Sequence, residues 1–522
     1  MGTSYKSYKS GYNTAQQFKE SFFEPEPATL GYVIISDHVT SNATPNSIVD
    51  TVATEKNIWD NMIGGKRVTG NDISLVIPRV NWTGNTKYIA YDDTIEYSSL
   101  LIANTTQNLK PMYVMTSNFD VYKCLSNNNS ANSTVEPTGT YTSSNGRIHT
   151  STDNYVWQYM YNVKQSNKFL DNDWMPAPYS TSQTDFTVNT EGVVDGIISS
   201  TIVVNGGNNY TDGVNVTALT YPAGNSSIQF SNTFNLTANG FNLSNVVNMY
   251  VTGNGISSGT YVSSVSLVYG SITLSTPTSS SGNGQINFQT RVSIDGDGIS
   301  ATGSSVITNN SIARVDVNNP GSGYGYANVY VYGTGSGANV RAVLPPKYGH
   351  AYNPALELGA NNAMISVIIG ENDTSESGLI SANTNFGTYG LLVNPYKYNE
   401  TSAETVSVSN TVISQTTDVT VSYGSDYTLN EYVYQGSLTA PTFSGFVVDS
   451  LASGTIKLTN VRGTPSVGRA LYGQTSGIYR FVVSYTNPEF EPYSGDILYA
   501  ENVSKVQRVD GQSENIRLVF KF

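Results

Sequence analysis

NMYVTGNGISSGTYVSSVSLVYGSITLS, residues 248–275, is the stretch on which the reading of this chain turns. Apolar and polar residues alternate in short runs such as YVSSV and SITLS, and clusters of Gly, Asn and Ser separate the runs. No apolar residues recur at helical spacing. Short alternating runs punctuated by turn residues are the signature of antiparallel β-structure. The same texture extends in both directions, with a turn cluster every ten residues or so from about residue 190 to the end of the chain.

A weak repeat brackets this stretch. Val203-x-Asn205-x-Gly207-x-x-Tyr210 recurs as Val317-x-Asn319-x-Gly321-x-x-Tyr324, and each copy leads into an alternating run. One unit is therefore a strand, a Gly-rich turn with a Tyr anchor, and a second strand. Residues 225–302 lie between the copies as an inserted β-module. A faint echo of it, GTIKL at 454–458 against GSITL at 270–274, places a related module near 436–483. Two copies are too few for a solenoid or a propeller.

Upstream the pattern is mixed. Residues 1–30 read as an arm with a short helix from Ala15 to Glu24. Thr14 and Gln17 stand at capping-box spacing, Phe18 and Phe22 share a face, and Pro25 and Pro27 end the helix. GYVIIS at 31–36 reads as a buried strand. A helix is expected from about Ser47 to Ile63, with Gly64-Gly65 as its terminator. Strands are expected at 73–80, 86–91 and 111–125. The aromatic stretch 155–163 (YVWQYMYNV) fits either a strand or a short helix. At the far end, ILYAENV, SKVQRVD and NIRLVFKF alternate well enough to be tied into a sheet.

The fold class expected is mainly β: several domains of β-sandwich-like sheets, with a few short helices in the N-terminal region. The divisions are an N-terminal arm (1–30), an N-terminal α+β domain (31–190), a middle β domain with its insert (191–345) and a C-terminal β domain (346–522).

Composition narrows function more than fold. Charged residues make up 12% of the 522 residues, about half of the usual ~25%. Ser, Thr, Asn and Gly fill the gap, with 37 Tyr and 47 Gly. Uncharged, Tyr-rich surfaces suit large permanent contacts, because desolvating a charge is costly. An ordinary solvated Ser/Thr/Asn face has the same composition. The net charge of −13 speaks against nucleic acid, whose binding rests on Lys and Arg neutralising phosphates. A single cysteine, Cys124, allows no disulfide framework and fits folding in a reducing cytoplasm. No signal peptide, myristoylation signal or membrane span is expected.

Chemistry is hard to find. The three histidines, His38, His149 and His350, stand far apart, and none has a metal-ligand neighbour. Asp295-Gly296-Asp297-Gly298 hints at a calcium loop, but Ile299 falls where a further acid is needed, so a tight turn fits better. Gly333-Thr334-Gly335-Ser336-Gly337-Ala338 matches a dinucleotide fingerprint in letters only, since the NVRAVLPP after it is strand-like where a helix is required. Asp92-Asp93 and Asp171/Asp173 are carboxylate pairs, read here as turn or surface acids. No catalytic, cofactor-binding or metal-binding residues are assigned, and no cofactor is expected.

Several blocks carry a family resemblance. WDNMIGGKRVTGNDISLVIPRVNWTGNTKYIAYDD (59–93), STVEPTG (133–139), YVWQYMYNV with KFLDNDWMP (155–176), PGSGYGYANVYVYGTGSGA (320–338) and GDILYAENVSKVQRVDGQSENIRLVFKF (495–522) resemble, in order, the baseplate wedge subunit of T-even-like contractile-tailed bacteriophages. The resemblance implies a β-rich, multi-domain homodimer without catalysis. It implies partnership with other baseplate wedge proteins, with neither nucleic acid nor membrane as a partner. It also implies assembly in the host cytoplasm and residence in the virion tail baseplate. A host-receptor or glycan-binding tail protein is the reading from a second class, supported by the Tyr and Asn content. A polysaccharide depolymerase is a third, and it needs a carboxylate cleft.

Overall fold

The structure, a computed structural model, describes residues 7–23, 29–37, 45–142, 147–179, 189–230, 243–370, 380, 384–401, 412–424, 426–509 and 511–522. His38, Glu24, Pro25 and Pro27 lie outside the described residues. The protein is mainly β, with a few short helices. It divides into two compact units, Met1–Ile77 with Ala360–Phe522, and Pro78–Gly359.

These units cut across the divisions drawn from composition, and strand pairing is the reason. The Gly31–Ser36 strand is buried along its whole length. It pairs with Met62–Val68 on one side and with Asn385–Val393 on the other. Residues 31–77 therefore fold with the C-terminal region. Residues 78–190 fold with the middle of the chain.

In the first unit a five-stranded sheet runs in the order Val412–Ser414, Met62–Val68, Gly31–Ser36, Asn385–Val393, Asp496–Gln507. Gly64 and Gly65 do not end a helix, as their sequence context suggests. They sit inside the Met62–Val68 strand opposite Ile35 and Ile34. A Cβ on Gly64 would meet the Ile413 carbonyl oxygen at 2.5 Å, and one on Gly65 the Val33 carbonyl oxygen at 2.7 Å. The pair is there for close backbone approach. The helix before it is shorter than expected, Val52–Asp60, and the Thr51 hydroxyl caps it by accepting from the Thr54 N–H.

The arm helix also differs from expectation. It spans Tyr8–Glu20 with Ser7 as N-cap. Thr14 is a mid-helix residue whose hydroxyl donates back to the Ser10 carbonyl. Phe18 and Phe22 do share a face, and Phe18 packs on Phe520 of the closing Glu514–Lys521 strand and on Phe522 just after it. That strand pairs along its length with Asn362–Ile369. The echo module near 436–483 lies within a closed six-stranded barrel. Its strands are Thr417–Val421, Thr455–Gly463, Ala440–Ser450, Tyr432–Ser437, Ala470–Gly473 and Tyr479–Thr486, in barrel order. Val419, Val433, Phe443, Ile456, Leu458 and Leu471 fill it.

In the second unit the aromatic stretch at 155–163 resolves as a strand, Tyr155–Asn162. It pairs with Asp120–Asn127 and Ile148–Thr150. The expected 111–125 strand is a hairpin, Tyr113–Met115 and Asp120–Asn127, broken where Phe119 takes a left-handed φ of 62°. A six-stranded sheet follows, with Ser200–Asn208 and Ser311–Asn319 at its two ends. The insert is a small body of two three-stranded sheets built from segments between Val214 and Gln289. Val216, Ile228, Phe230, Val251, Ile272 and Phe288 form its core. Asn supplies most of the left-handed non-Gly turns, among them Asn209, Asn309 and Asn310. Its short polar side chain tolerates that conformation.

Candidate functional site

The repeated Val-x-Asn-x-Gly-x-x-Tyr motif explains two segments that look like ligand loops. In both copies the Asn side-chain Oδ1 accepts from the Gly N–H two residues on, at 2.9 Å for Asn205 and 3.0 Å for Asn319. In both the Gly is left-handed, with φ of 63° at Gly207 and 64° at Gly321. In both an added Cβ would meet the anchor Tyr ring at 2.8 Å. Tyr210 and Tyr324 are thereby buried in one core.

Gly333 and Gly335 of the fingerprint-like segment lie against the Tyr210 ring. Gly296 and Gly298 of the calcium-like segment lie against the Tyr324 ring. Asp297 accepts from the N–H groups of Gly325 and Tyr326. Both Gly-rich segments are cradles for tyrosines. No group of three or more potential metal ligands occurs among the described residues.

The carboxylate pairs are likewise internal. Arg341 bonds Asp92 at 2.6 Å and also Asp93, leaving no free acid–base pair. Burial alone would raise the pKa of Asp92, but hydrogen bonds from Thr94 and Arg341 outweigh it and hold the carboxyl below its ordinary range. Asp171 accepts from the N–H groups of Asp173 and Trp174 and closes a turn.

Two constellations remain, one in each unit. In Pro78–Gly359, His350 is not isolated as its place in the sequence suggests. Its Nε2 lies 3.0 Å from Ser199 Oγ and its Nδ1 2.5 Å from Glu357 Oε1, the connectivity of a Ser-His-acid triad. Local structure sets two of these groups. Asn353 caps the short Pro354–Glu357 helix, and Glu357 Oε2 accepts from the Ala351 N–H at 2.7 Å, folding the loop back on itself. Ser199 stands just before the Ser200–Asn208 strand, held by its N–H to the Val343 carbonyl.

The fourth member denies the triad its chemistry. Lys123, on the Asp120–Asn127 strand, places its ammonium 2.7 Å from Glu357 Oε1 and 3.5 Å from the centre of the Tyr91 ring. Lys123 is fully buried, and Ser199, His350 and Glu357 are at most 4% exposed. No substrate carbonyl can reach this serine. Burial and the Lys123 charge push the His350 pKa down to about 4. Burial works to raise that of Glu357, but Lys123 and His350 outweigh it and bring it to about 2. At neutral pH the imidazole is uncharged. An Nδ1–H donated to Glu357 leaves Nε2 to accept from the Ser199 hydroxyl; this tautomer is assigned from the partners. The cluster is a sealed ionic pin.

In the other unit a cleft of about 510 Å³ opens beside the barrel. Trp59 and Asp60 at the end of the Val52–Asp60 helix form one wall, Thr459 to Pro465 of the barrel another, and Tyr398, Asn487 and Tyr493 complete it. Arg462 grips Asp60 with two nitrogens, at 3.0 and 2.7 Å. The Tyr493 hydroxyl also donates to Asp60. These bonds outweigh burial and hold the Asp60 carboxyl below its ordinary range. Sequence reading singled out none of these residues for a site. Asp60 and Arg462 meet only once the barrel is closed, and no local spacing announces that.

No protein-family model matches the chain, and no curated protein is significantly similar to it. Among the described residues no helix is long and apolar enough to cross a membrane.

Proposed function

We propose that this chain is a structural subunit of the baseplate wedge of a contractile phage tail, one that holds neighbouring wedge proteins together during assembly and infection. The observation that carries the reading is the fate of its ionisable groups. Its one Ser-His-carboxylate connectivity among the described residues is sealed and locked by Lys123. Elsewhere Lys457 ends on Asp418 and Arg508 on Glu514, each within its own unit. Buried charge is spent on internal pins, and exposed strand faces carry many uncharged Ser, Thr, Asn and Tyr side chains. Such faces suit dehydrated, permanent contacts. The ordered blocks that resemble the wedge family support the same reading.

The test is a pull-down of the tagged chain from infected cells, with light scattering of the purified protein. A wedge subunit gives a dimer and co-purifies with the other wedge proteins. A monomer that brings down no baseplate protein overturns the proposal.

A further inference from the structure

An unbroken row of aromatic rings crosses the outside of the barrel. Phe446 contacts Tyr432 (5.4 Å between centroids), Tyr432 contacts Tyr434 (6.2 Å) and Tyr434 contacts Tyr472 (5.5 Å). Tyr472 contacts Tyr479 (5.8 Å) and Tyr479 contacts Phe481 (6.4 Å). The row follows strand register, since Tyr432 pairs with Phe446, Tyr434 with Tyr472, and Tyr472 with Tyr479. Residues directly opposite on antiparallel strands point to one face, here the outer one. Four of the six rings are exposed, up to 55% at Tyr479 and 52% at Phe481.

The row leads to the cleft. Phe446 at its end pairs on its other side with Thr459, and Thr459 lines the cleft. The row wraps across four neighbouring strands, with adjacent ring planes 20° to 89° apart, and leads to a concave pocket holding three more aromatic residues, Trp59, Tyr398 and Tyr493.

We propose that the track and cleft bind an uncharged polysaccharide, its sugar rings stacking along the row and one end of the chain seated in the cleft. Charge selects this occupant. The six rings are Tyr and Phe side chains, which add nothing to the formal charge, and Arg480 beside them is neutralised by Asp426 at 2.9 Å. Among the described residues that line the cleft, Asp60 and Arg462 are the two charged ones, and they neutralise each other. The remaining polar groups are amides and hydroxyls such as Asn460, Asn487 and Thr459, which pair with sugar hydroxyls. A nucleic acid would need Lys and Arg along the row. A peptide would dock most readily by strand addition, but a closed barrel offers no free edge. The ring spacing is of the same order as the length of one hexose unit, so successive sugars can meet successive rings.

The proposal does not depend on the wedge reading. It is tested on the full chain by affinity gel electrophoresis with laminarin, dextran, xylan and mannan in the gel. At least one polymer is expected to retard the chain, equally at low and high salt, because an uncharged ligand leaves nothing to screen. Tyr472→Ala and Tyr479→Ala are expected to weaken retardation about tenfold each, the scale of a lost stacking anchor. Tyr472→Phe, which keeps the ring, retains it. Circular dichroism and the melting temperature confirm that both alanine variants fold. Absence of retardation by all four polymers overturns the proposal. So does retardation that both alanine variants preserve or that salt abolishes, and so does a self-association that the alanine variants dissolve.

Discussion

Two ion pairs in this protein share an N···O separation of 2.7 Å and little else. Lys123–Glu357 is sealed, with its side chains 0% and 4% exposed; Arg462–Asp60 stands at a cleft, with Arg462 57% exposed. The same contact does different work because the surrounding medium differs. Two charges taken fully out of water lose several kcal/mol of hydration each, and partial removal of one partner leaves the other with nothing in return. With its neighbours, the sealed pair therefore locks three segments, those of Lys123, Ser199 and His350–Glu357, into one arrangement. The pair at the cleft keeps water on the guanidinium, adds little to stability, and remains free to shape a binding surface.

The comparison is broken most directly at Lys123. Lys123→Met leaves the Glu357 carboxylate buried without its counter-charge, and the unfolding free energy should fall by about 3–5 kcal/mol. The double variant Lys123→Met/Glu357→Gln removes both charges, keeps a side-chain acceptor for its buried donors, and should recover part of that loss. Urea unfolding monitored by tryptophan fluorescence measures both, and a loss under about 1 kcal/mol in the single variant would show that the pair is not the lock described here.

Acid reaches the same lock by another route. The unfolded His350 binds its proton near 6.5, the folded one only near 4. Between those values the unfolded state holds more protons, so stability is full above pH 6.5 and declines as pH falls toward 4, by about 1 kcal/mol per pH unit at most. Glu357, ordinarily near 4.5 and here near 2, acts in the same direction over the lower window. His350→Gln should flatten the decline between pH 6.5 and 4 while leaving the fall below 4.5 in place. A wild-type melting temperature that is constant from pH 7 to pH 4 would contradict the assigned neutral imidazole.

Ser199→Ala separates a hydrogen-bond role from a nucleophile's role. It leaves His350 Nε2 buried without a donor, at a cost of about 1–3 kcal/mol. Reaction with a fluorophosphonate probe should be undetectable in both the wild type and the variant. Labelling of Ser199 in the wild type would mean that the cluster opens.

What was legible in the sequence follows from the range of the forces involved. Period-two alternation and Gly/Asn punctuation act over a few residues, so the β class, the strands at 31–36 and 73–80 and the repeated Tyr anchors could all be read locally. Gly64-Gly65 misled because a helix terminator and a close strand crossing favour the same residue. The unit boundaries were hidden because they depend on Gly31–Ser36 finding Asn385–Val393 hundreds of residues later. The sealed cluster was hidden for the same reason. His350 and Glu357 are seven residues apart, whereas Lys123, on a strand, and Ser199, just before another, come from far upstream. The aromatic row is half visible as Tyr432-x-Tyr434 and Tyr479-x-Phe481, but only strand pairing through Tyr472 joins those two pairs into one row.

The smallest effect belongs to the open pair. Asp60→Asn keeps the shape of the cleft and removes one charge, and because Arg462 is solvated, unfolding should shift by only about 0.2–1 kcal/mol. The consequence for binding is larger in kind. Without Asp60 the Arg462 guanidinium loses its two-point anchor, and the cleft acquires a net positive charge. An uncharged polymer should then bind more weakly, while a sulfated one such as dextran sulfate begins to retard the chain in a salt-sensitive way. Parallel gels containing dextran and dextran sulfate at two salt concentrations read both changes at once. If Asp60→Asn costs as much stability as Lys123→Met, the distinction between a sealed and an open pair fails, because exposure would then have no bearing on what an ion pair contributes.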